Sequence, residues 1–503
     1  MPLARRSRQA DNALIPLPGH DARGIIVDVP TNERFATAPP NPLQQVATAP
    51  VSTFSIDVDT ASYTLTRSYL NGGHRPPAAA VRVEEFINYF DYAYPAPDTL
   101  ETPFRTSVSV TETPWNAGTE LIQIGIKGYT PPAADRPPLD LVFLIDTSGS
   151  MNAPNKLPLL RAAFRLLLTS LKPEDKVAIV TYAGSVGTAL EPTAASERAK
   201  IIAALDNLSA GGGTAGAAGL QGAYTWAEQM ARDGEEGRLS RVILATDGDF
   251  NVGISSDAAL KDYISDRRDS GTYLSVLGFG RGNTNDALMQ ALAQIGYGHA
   301  AYIDTLAEAE RVLVPQAGSA LIPIANDVKI QVEFNPATVS EYRLIGYETR
   351  TLRREDFNND RVDAGEIGAG HTVTALYEVT PVGSPAARLD PLRYAESETP
   401  AAADRSGELG FLRIRYKRPG ETESQLIETP IEPGMAEIPA SETRFAAAIA
   451  GFGEALRGSN YLEGWTIEDA AALAGANTGA DPWGSRSEAL RLMRLATTLG
   501  NPN

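Results

Sequence analysis

The chain has no cysteine. That absence removes disulfides, thiolate zinc sites, iron–sulfur clusters, a cysteine nucleophile and lipidated cysteine together, while leaving the compartment open. Histidine is almost as scarce: His20, His74, His299 and His371 are scattered, with no His-Glu-x-x-His pair, so zinc hydrolysis has no support. Positive charge is short as well. Against 62 Asp and Glu stand 44 Lys and Arg, a net charge of −18, so nucleic acid or an anionic membrane would have to be held against long-range repulsion. No run approaches the roughly 18 apolar residues that suggest a membrane span. After Arg5, Arg6 and Arg8 the first 50 residues hold only short apolar stretches, so neither a leader nor a span is expected in the sequence as written. There is no Gly-x-Ser-x-Gly elbow and no Walker A loop.

What is present is ordinary globular usage, 43% hydrophobic and 21% charged, in a chain of 503 residues, too long for one core. Residues 1–50, rich in Pro, Ala, Asn and Thr, read as a flexible tail. Residues 51–137 read as a flanking region: a helix through Tyr69, a second from about Ala79 to Tyr92, then strands at Val108–Val110 and Ile122–Ile126 with period-2 alternation. Thr60 is a candidate cap for the first helix, and Asp57 and Asp59 read as structural beside it.

Beyond the proline-rich stretch 131–138 the pattern changes. Leu139–Ile145, Val177–Val180, Val242–Ala245 and Leu274–Leu277 are nearly continuous apolar runs, as strands buried on both faces are. Helical patterns lie between them, at Lys156–Leu171, Ala199–Leu208 and about Ala215–Met230. The segment 138–315 is therefore expected to be α/β, a doubly wound, mostly parallel sheet. Half-buried strands return in 316–435, around Val328–Phe334 and Leu412–Tyr416, and are expected to join 51–137 in one sandwich-like domain. The end, 436–503, is helical, with Thr466 to Asp469 as a cap.

The most informative words stand at the carboxyl end of the first parallel strand: Asp146-Thr-Ser148-Gly-Ser150. In an extended loop the alternating oxygens of Asp146, Ser148 and Ser150 can converge on one point, at the edge where open α/β sheets place ligands. Thr214, after Gly211-Gly-Gly, and Asp247, at the end of the apolar strand Val242–Thr246, can reach the same rim. Only hard oxygen donors are offered, which suits Mg²⁺ or Mn²⁺ and leaves the ion's charge incompletely neutralised.

These residues resemble the von Willebrand factor type A fold and its metal-ion-dependent adhesion site, with all five positions matched over about residues 138–315. The segments Phe54–Tyr63, Val81–Phe86, Asp356–Asp360 and Asp363–His371 look like those that bracket this domain in a bacterial subfamily. The resemblance implies metal ligands at Asp146, Ser148, Ser150, Thr214 and Asp247, with no catalytic residue. It implies a protein partner whose carboxylate completes the coordination, and a switch of affinity through the last helix, about Leu306–Ala317. Relatives of that type often begin with an export leader, so the cell envelope or periplasm is suggested by resemblance alone.

Other readings stay open. A Mg²⁺-dependent hydrolase or phosphoryl-transfer enzyme using the same ion is the alternative from another class, although Ser148 and Ser150 have no candidate base nearby in sequence. A scaffold with a vestigial site is a third. Gly211-x-Gly-x-x-Gly216 matches a dinucleotide fingerprint but follows an expected helix instead of a strand. Asp356, Asn358 and Asp360 begin like a calcium loop, a candidate second Ca²⁺ site. Arg361 stands where the loop's glycine belongs, and an Asx-stabilised turn competes with the metal reading. Asp249 and Asn251 read as shaping their loop.

Overall fold

The computed structural model describes residues 33–500 except 36–37, 214, 235–236, 249–256, 283, 316–320 and 391–406. Ahead of the α/β segment come strands β1 (Gln44–Gln45) and β2 (Val51–Ser55), helices α1 (Ala61–Asn71) and α2 (Val83–Asn88), and strands β3 (Phe104–Glu112) and β4 (Glu120–Gly128). The segment itself runs β5 (Leu139–Asp146), α3 (Leu157–Thr169), β6 (Lys176–Tyr182), β7 (Val186–Ala194), α4 (Arg198–Asp206), α5 (Gly216–Asp233) and β8 (Leu239–Thr246). It continues through α6 (Asp257–Asp269), β9 (Thr272–Phe279), α7 (Asp286–Ile295), β10 (Ala300–Ile303) and α8 (Leu306–Pro315). After it come β11 (Pro323–Phe334), β12 (Val339–Ile345), β13 (Gly365–Gly368), β14 (Thr372–Pro381), β15 (Gly410–Lys417) and β16 (Gln425–Ile431). Helices α9 (Ala440–Arg457), α10 (Ile467–Ala476) and α11 (Ser485–Thr498) follow.

The central sheet has the order β10-β9-β8-β5-β6-β7, parallel except for the edge strand β7, which runs antiparallel to β6. Its apolar runs are buried on both faces. Leu141, Phe143 and Ile145 of β5 pack with Leu160, Phe164 and Leu167 of α3, while Val142 and Leu144 point the other way toward Leu220 and Tyr224 of α5. Each such side chain contributes ~1.5–3 kcal/mol of burial. Because α3 and α5 cover opposite faces, the chain leaves β5 toward β6 on one side and returns to β8 on the other. The crevice opens where those directions diverge, at the carboxyl ends of β5 and β8.

Two antiparallel sheets form the second layer system, in the orders β1-β12-β14-β4-β3 and β13-β11-β15-β16, with β2 also paired to β11. Strands from both sides of the α/β segment meet in them: β4 lies along β14 with Ile124 opposite Ala375. Their inner faces share one core that includes Ile122, Ile124, Ile330, Val332 and Tyr377. The helical end is built in the same way, since Phe86 and Phe90 pack with Phe445 and Phe452 of α9.

Three expectations need correction. Part of the stretch read as a flexible tail is docked: Gln44 and Gln45 pair with β12, Val46 is buried, and the Asn41 side-chain amide donates to the Gly346 carbonyl at 2.6 Å. A few apolar and amide groups suffice there because β12 would otherwise be an open edge. The helix expected over Ala79–Tyr92 is split, since Ala78–Ala80 form one 3₁₀ turn and Arg82 is extended (φ −106°, ψ 114°) before α2. That extension sends the Arg82 guanidinium to Asp286 of α7 at 2.7 Å. Thr60 occupies the cap position of α1, but its side chain makes no capping bond.

The flank and the α/β segment are joined by buried charge. Arg350 donates to Asp57 at 3.1 Å and Asp59 at 2.9 Å, and Asp59 also accepts the Ala300 backbone N–H at 2.7 Å. Arg67 reaches Asp304 and Glu308, the latter also taking the Tyr89 hydroxyl at 2.6 Å. These contacts tie α8 to the N-terminal flank.

Glu84 is the exception to this pairing. It is buried beneath Gly346 (φ 75°), where a Cβ would lie 2.6 Å from the Glu84 backbone nitrogen, so the turn requires glycine. Burial, with the charges of Glu348 and Asp57 adding to it, pushes its carboxyl up to about 8 from an ordinary 4.5. The unfolded chain therefore loses that proton at lower pH than the folded one, and stability falls as pH rises through this interval. Glu84→Gln is expected to raise stability near pH 8, by at most ~4 kcal/mol, and to leave it unchanged near pH 4, as read by thermal denaturation at both pH values. A variant no more stable than the wild type near pH 8 would contradict this.

Candidate metal centre

Asp146 is the last residue of β5, and the chain turns there because its own carboxylate accepts the Ser148 backbone N–H at 2.8 Å. Its other oxygen faces the Tyr182 hydroxyl from β6 and the Thr246 hydroxyl from β8, each at 3.3 Å. The turn brings Ser148 Oγ and Ser150 Oγ within 2.9 Å of each other at the rim. A second loop is fastened alongside: Gly211 N–H donates to the Thr147 carbonyl at 2.8 Å, and Gly149 N–H donates to the Gly212 carbonyl at 3.2 Å. Thr214, which follows in that loop, lies outside the described residues.

Asp247 follows β8 and is buried. One of its oxygens accepts from Lys156 Nζ at 2.7 Å. Burial, reinforced by the nearby charge of Asp247, pushes the Asp146 carboxyl up to about 6, while the bonds from Ser148 and Tyr182 pull it down. The oxygens of Asp146, Ser148, Ser150 and Asp247 are thus hard donors around two buried carboxylates and one ammonium. That set fits a hard divalent cation, which would relieve the carboxylate repulsion.

Three residues of this arrangement escaped the sequence reading: Tyr182, Thr246 and Lys156. The lysine had left a signal. It stands at the start of α3, where the helix dipole opposes a positive charge, so an ammonium there needs a counter-charge nearby.

The candidate calcium loop is engaged otherwise. Asp356 caps its own turn and pairs with Arg353 at 3.1 Å, whereas Asn358 and Asp360 accept from Arg415 at 3.4 and 3.2 Å. Guanidinium groups already satisfy these oxygens. Among the described residues the one group of three or more acidic or histidine side chains with mutually close ligand atoms is Asp57, Asp59 and Glu85. Arg350 and Arg82 neutralise that group, so it reads as an ion-pair joint. Gly211–Gly213 lies after α4, a helix, and the dinucleotide fingerprint lacks its strand. Asp249 and Asn251 lie outside the described residues.

A doubly wound sheet carrying this rim defines a class, and the family comparisons agree: the model of the von Willebrand factor type A domain matches residues 141–249. A model described as von Willebrand factor matches residues 29–123, and one described as uncharacterized protein YfbK, C-terminal, matches residues 319–499. Over 481 residues the chain is 44% identical to the uncharacterized protein YfbK of Escherichia coli (strain K12), covering 94% of this chain and 83% of that protein. The chain belongs to the YfbK family of bacterial von Willebrand factor type A domain proteins. It is also similar to the uncharacterized protein sll0103 of Synechocystis, 31% identical over 176 residues, 35% of this chain and 40% of that protein. Among solved structures, a von Willebrand factor type A protein from Catenulispora acidiphila covers 80% of this chain and 91% of its own, at 15% identity and a TM-score of 0.40.

If these oxygens form a cation site, Asp146→Asn is expected to weaken Mn²⁺ binding by at least about tenfold in isothermal titration, the cost of removing one charged donor. Its thermal transition should persist, since the amide that replaces the carboxylate has the same shape and an oxygen to accept at the turn. Undiminished Mn²⁺ binding would rule Asp146 out as a ligand.

Proposed function

We propose that the chain is a non-enzymatic, metal-dependent protein-interaction module. Mg²⁺ or Mn²⁺, held by Asp146, Ser148, Ser150, Thr214 and Asp247, would capture an acidic side chain of a protein partner. The observation that carries this reading is the rim itself: two serine hydroxyls 2.9 Å apart beside two buried carboxylates, at the crevice between β5 and β8. Membership of the type A family supports an interaction role in general terms. The hydroxyls bring no charge, so a bound dication keeps net positive character toward an outside anion. The partner's carboxylate would enter there.

The whole chain's charge of −18 opposes this approach at long range, so the partner should present its acid within a neutral or basic face. No described helix is long and apolar enough to cross a membrane, and the proposed partner is a protein.

The test is affinity capture from native extract with Mg²⁺ against chelator, repeated with Asp146→Ala and Asp247→Ala. The expected outcome is a partner retained only with Mg²⁺ and lost in both variants. Capture that persists unchanged in both would overturn the proposal. Metal-dependent turnover of a phosphoester, abolished by Asp146→Ala, would replace it with the enzymatic reading.

A further inference from the structure

Resting on the metal reading above, we propose that Lys156 is a resident counter-cation of the centre. Its ammonium compensates Asp247 when no ion is bound. Once a dication arrives, the same charge makes binding of the bare ion weaker and leaves the loaded site positive, so an anionic ligand and the ion reinforce one another.

The placement of the lysine supports this role. Lys156 is nearly buried, with Nζ 2.7 Å from Asp247 Oδ2, and its partner's carboxylate is buried as well. The aliphatic stem is fixed by Gly280, the residue after β9. Gly280 has φ 75°, and a Cβ there would sit 2.5 Å from the Lys156 Cγ, so that turn is shaped around the stem. The backbone of Lys156 is set too, since its N–H donates to the Ala153 carbonyl at 3.0 Å and its carbonyl accepts from Leu160 N–H at 2.8 Å. A cation at the N-terminus of the 13-residue helix α3 works against the helix dipole, so the position is favourable only through the carboxylate it faces.

Formal charge then decides the behaviour. Among the described residues of the rim, Asp146, Asp247 and Lys156 sum to about −1; a dication brings that sum to about +1, and a ligand carboxylate returns it to neutrality. With the ammonium removed the sequence would be about −2, 0 and −1, so the ion would bind more tightly alone and an acidic ligand would gain little from it. Lysine therefore exchanges affinity for the ion against dependence on the anion.

The experiment is isothermal titration of MnCl₂ into the full chain, wild type and Lys156→Met, with and without added acetate as the carboxylate probe. Methionine keeps the stem volume and deletes the charge. The expected result is at least about tenfold tighter Mn²⁺ binding in Lys156→Met (~1.4 kcal/mol), together with a smaller acetate-induced gain than in the wild type. A measurable wild-type affinity that is unchanged or weaker in the variant would overturn the role of the lysine and leave the metal reading standing. If neither protein binds Mn²⁺, the metal reading fails and the lysine's role with it. Should Lys156→Met not fold, Lys156→Gln, which can still hydrogen-bond Asp247, carries the same expectation and the same overturning results.

Discussion

A carboxylate taken out of water must find a counter-charge, a set of donors or a proton, and this one constraint organises the chain from its rim to its joints. At the crevice between β5 and β8, Asp146 and Asp247 are buried together with one ammonium. Their surroundings show three kinds of compensation side by side: the N–H of Ser148, the hydroxyls of Tyr182 and Thr246, and the charge of Lys156. A bound divalent cation would add a fourth.

The same rule builds the attachment of the flanks. Arg350 holds Asp57 and Asp59 while Asp59 caps the incoming strand β10 through Ala300, and Arg82 spans from Glu85 to Asp286 of α7. Arg67 and Tyr89 converge on Glu308 of α8. Such pairs gain little net energy over apolar packing, but removing one partner leaves the other charged and dry, so they impose a register on the surfaces they join. The helix that follows the central sheet is therefore held by the N-terminal flank, and its position depends on residues more than 200 places away in the chain.

Legibility followed sequence distance. The run Leu139–Ile145 announces a strand covered on both faces, and β5 is such a strand because its alternate residues enter two different cores. Asp146, Ser148 and Ser150 were readable because a turn of five residues brings them together by itself. Strand β7 was not readable: most of it is exposed at the sheet edge, so no apolar period marks it. The docking of Gln44–Val46 was invisible for a related reason, since its partner edge, β12, is almost 300 residues downstream. Residues Asp57 and Arg350 stand 293 positions apart, and no local pattern pairs them.

By itself, the sequence determined the oxygen chemistry of the rim, the exclusion of thiolate and histidine sites, and the periods from which strands and helices form. These depend on residue type and on spacings of two to four, which elementary geometry carries. Only the tertiary structure decided which charges compensate which. It set Lys156 against Asp247 across 91 residues, paired Asp57 and Asp59 with Arg350, engaged the apparent metal loop at Asp356–Asp360 with arginines, and buried Glu84 where its carboxyl is pushed up. Electrostatic partnership is a matter of proximity in a low dielectric, and proximity between distant residues exists only once the chain has folded.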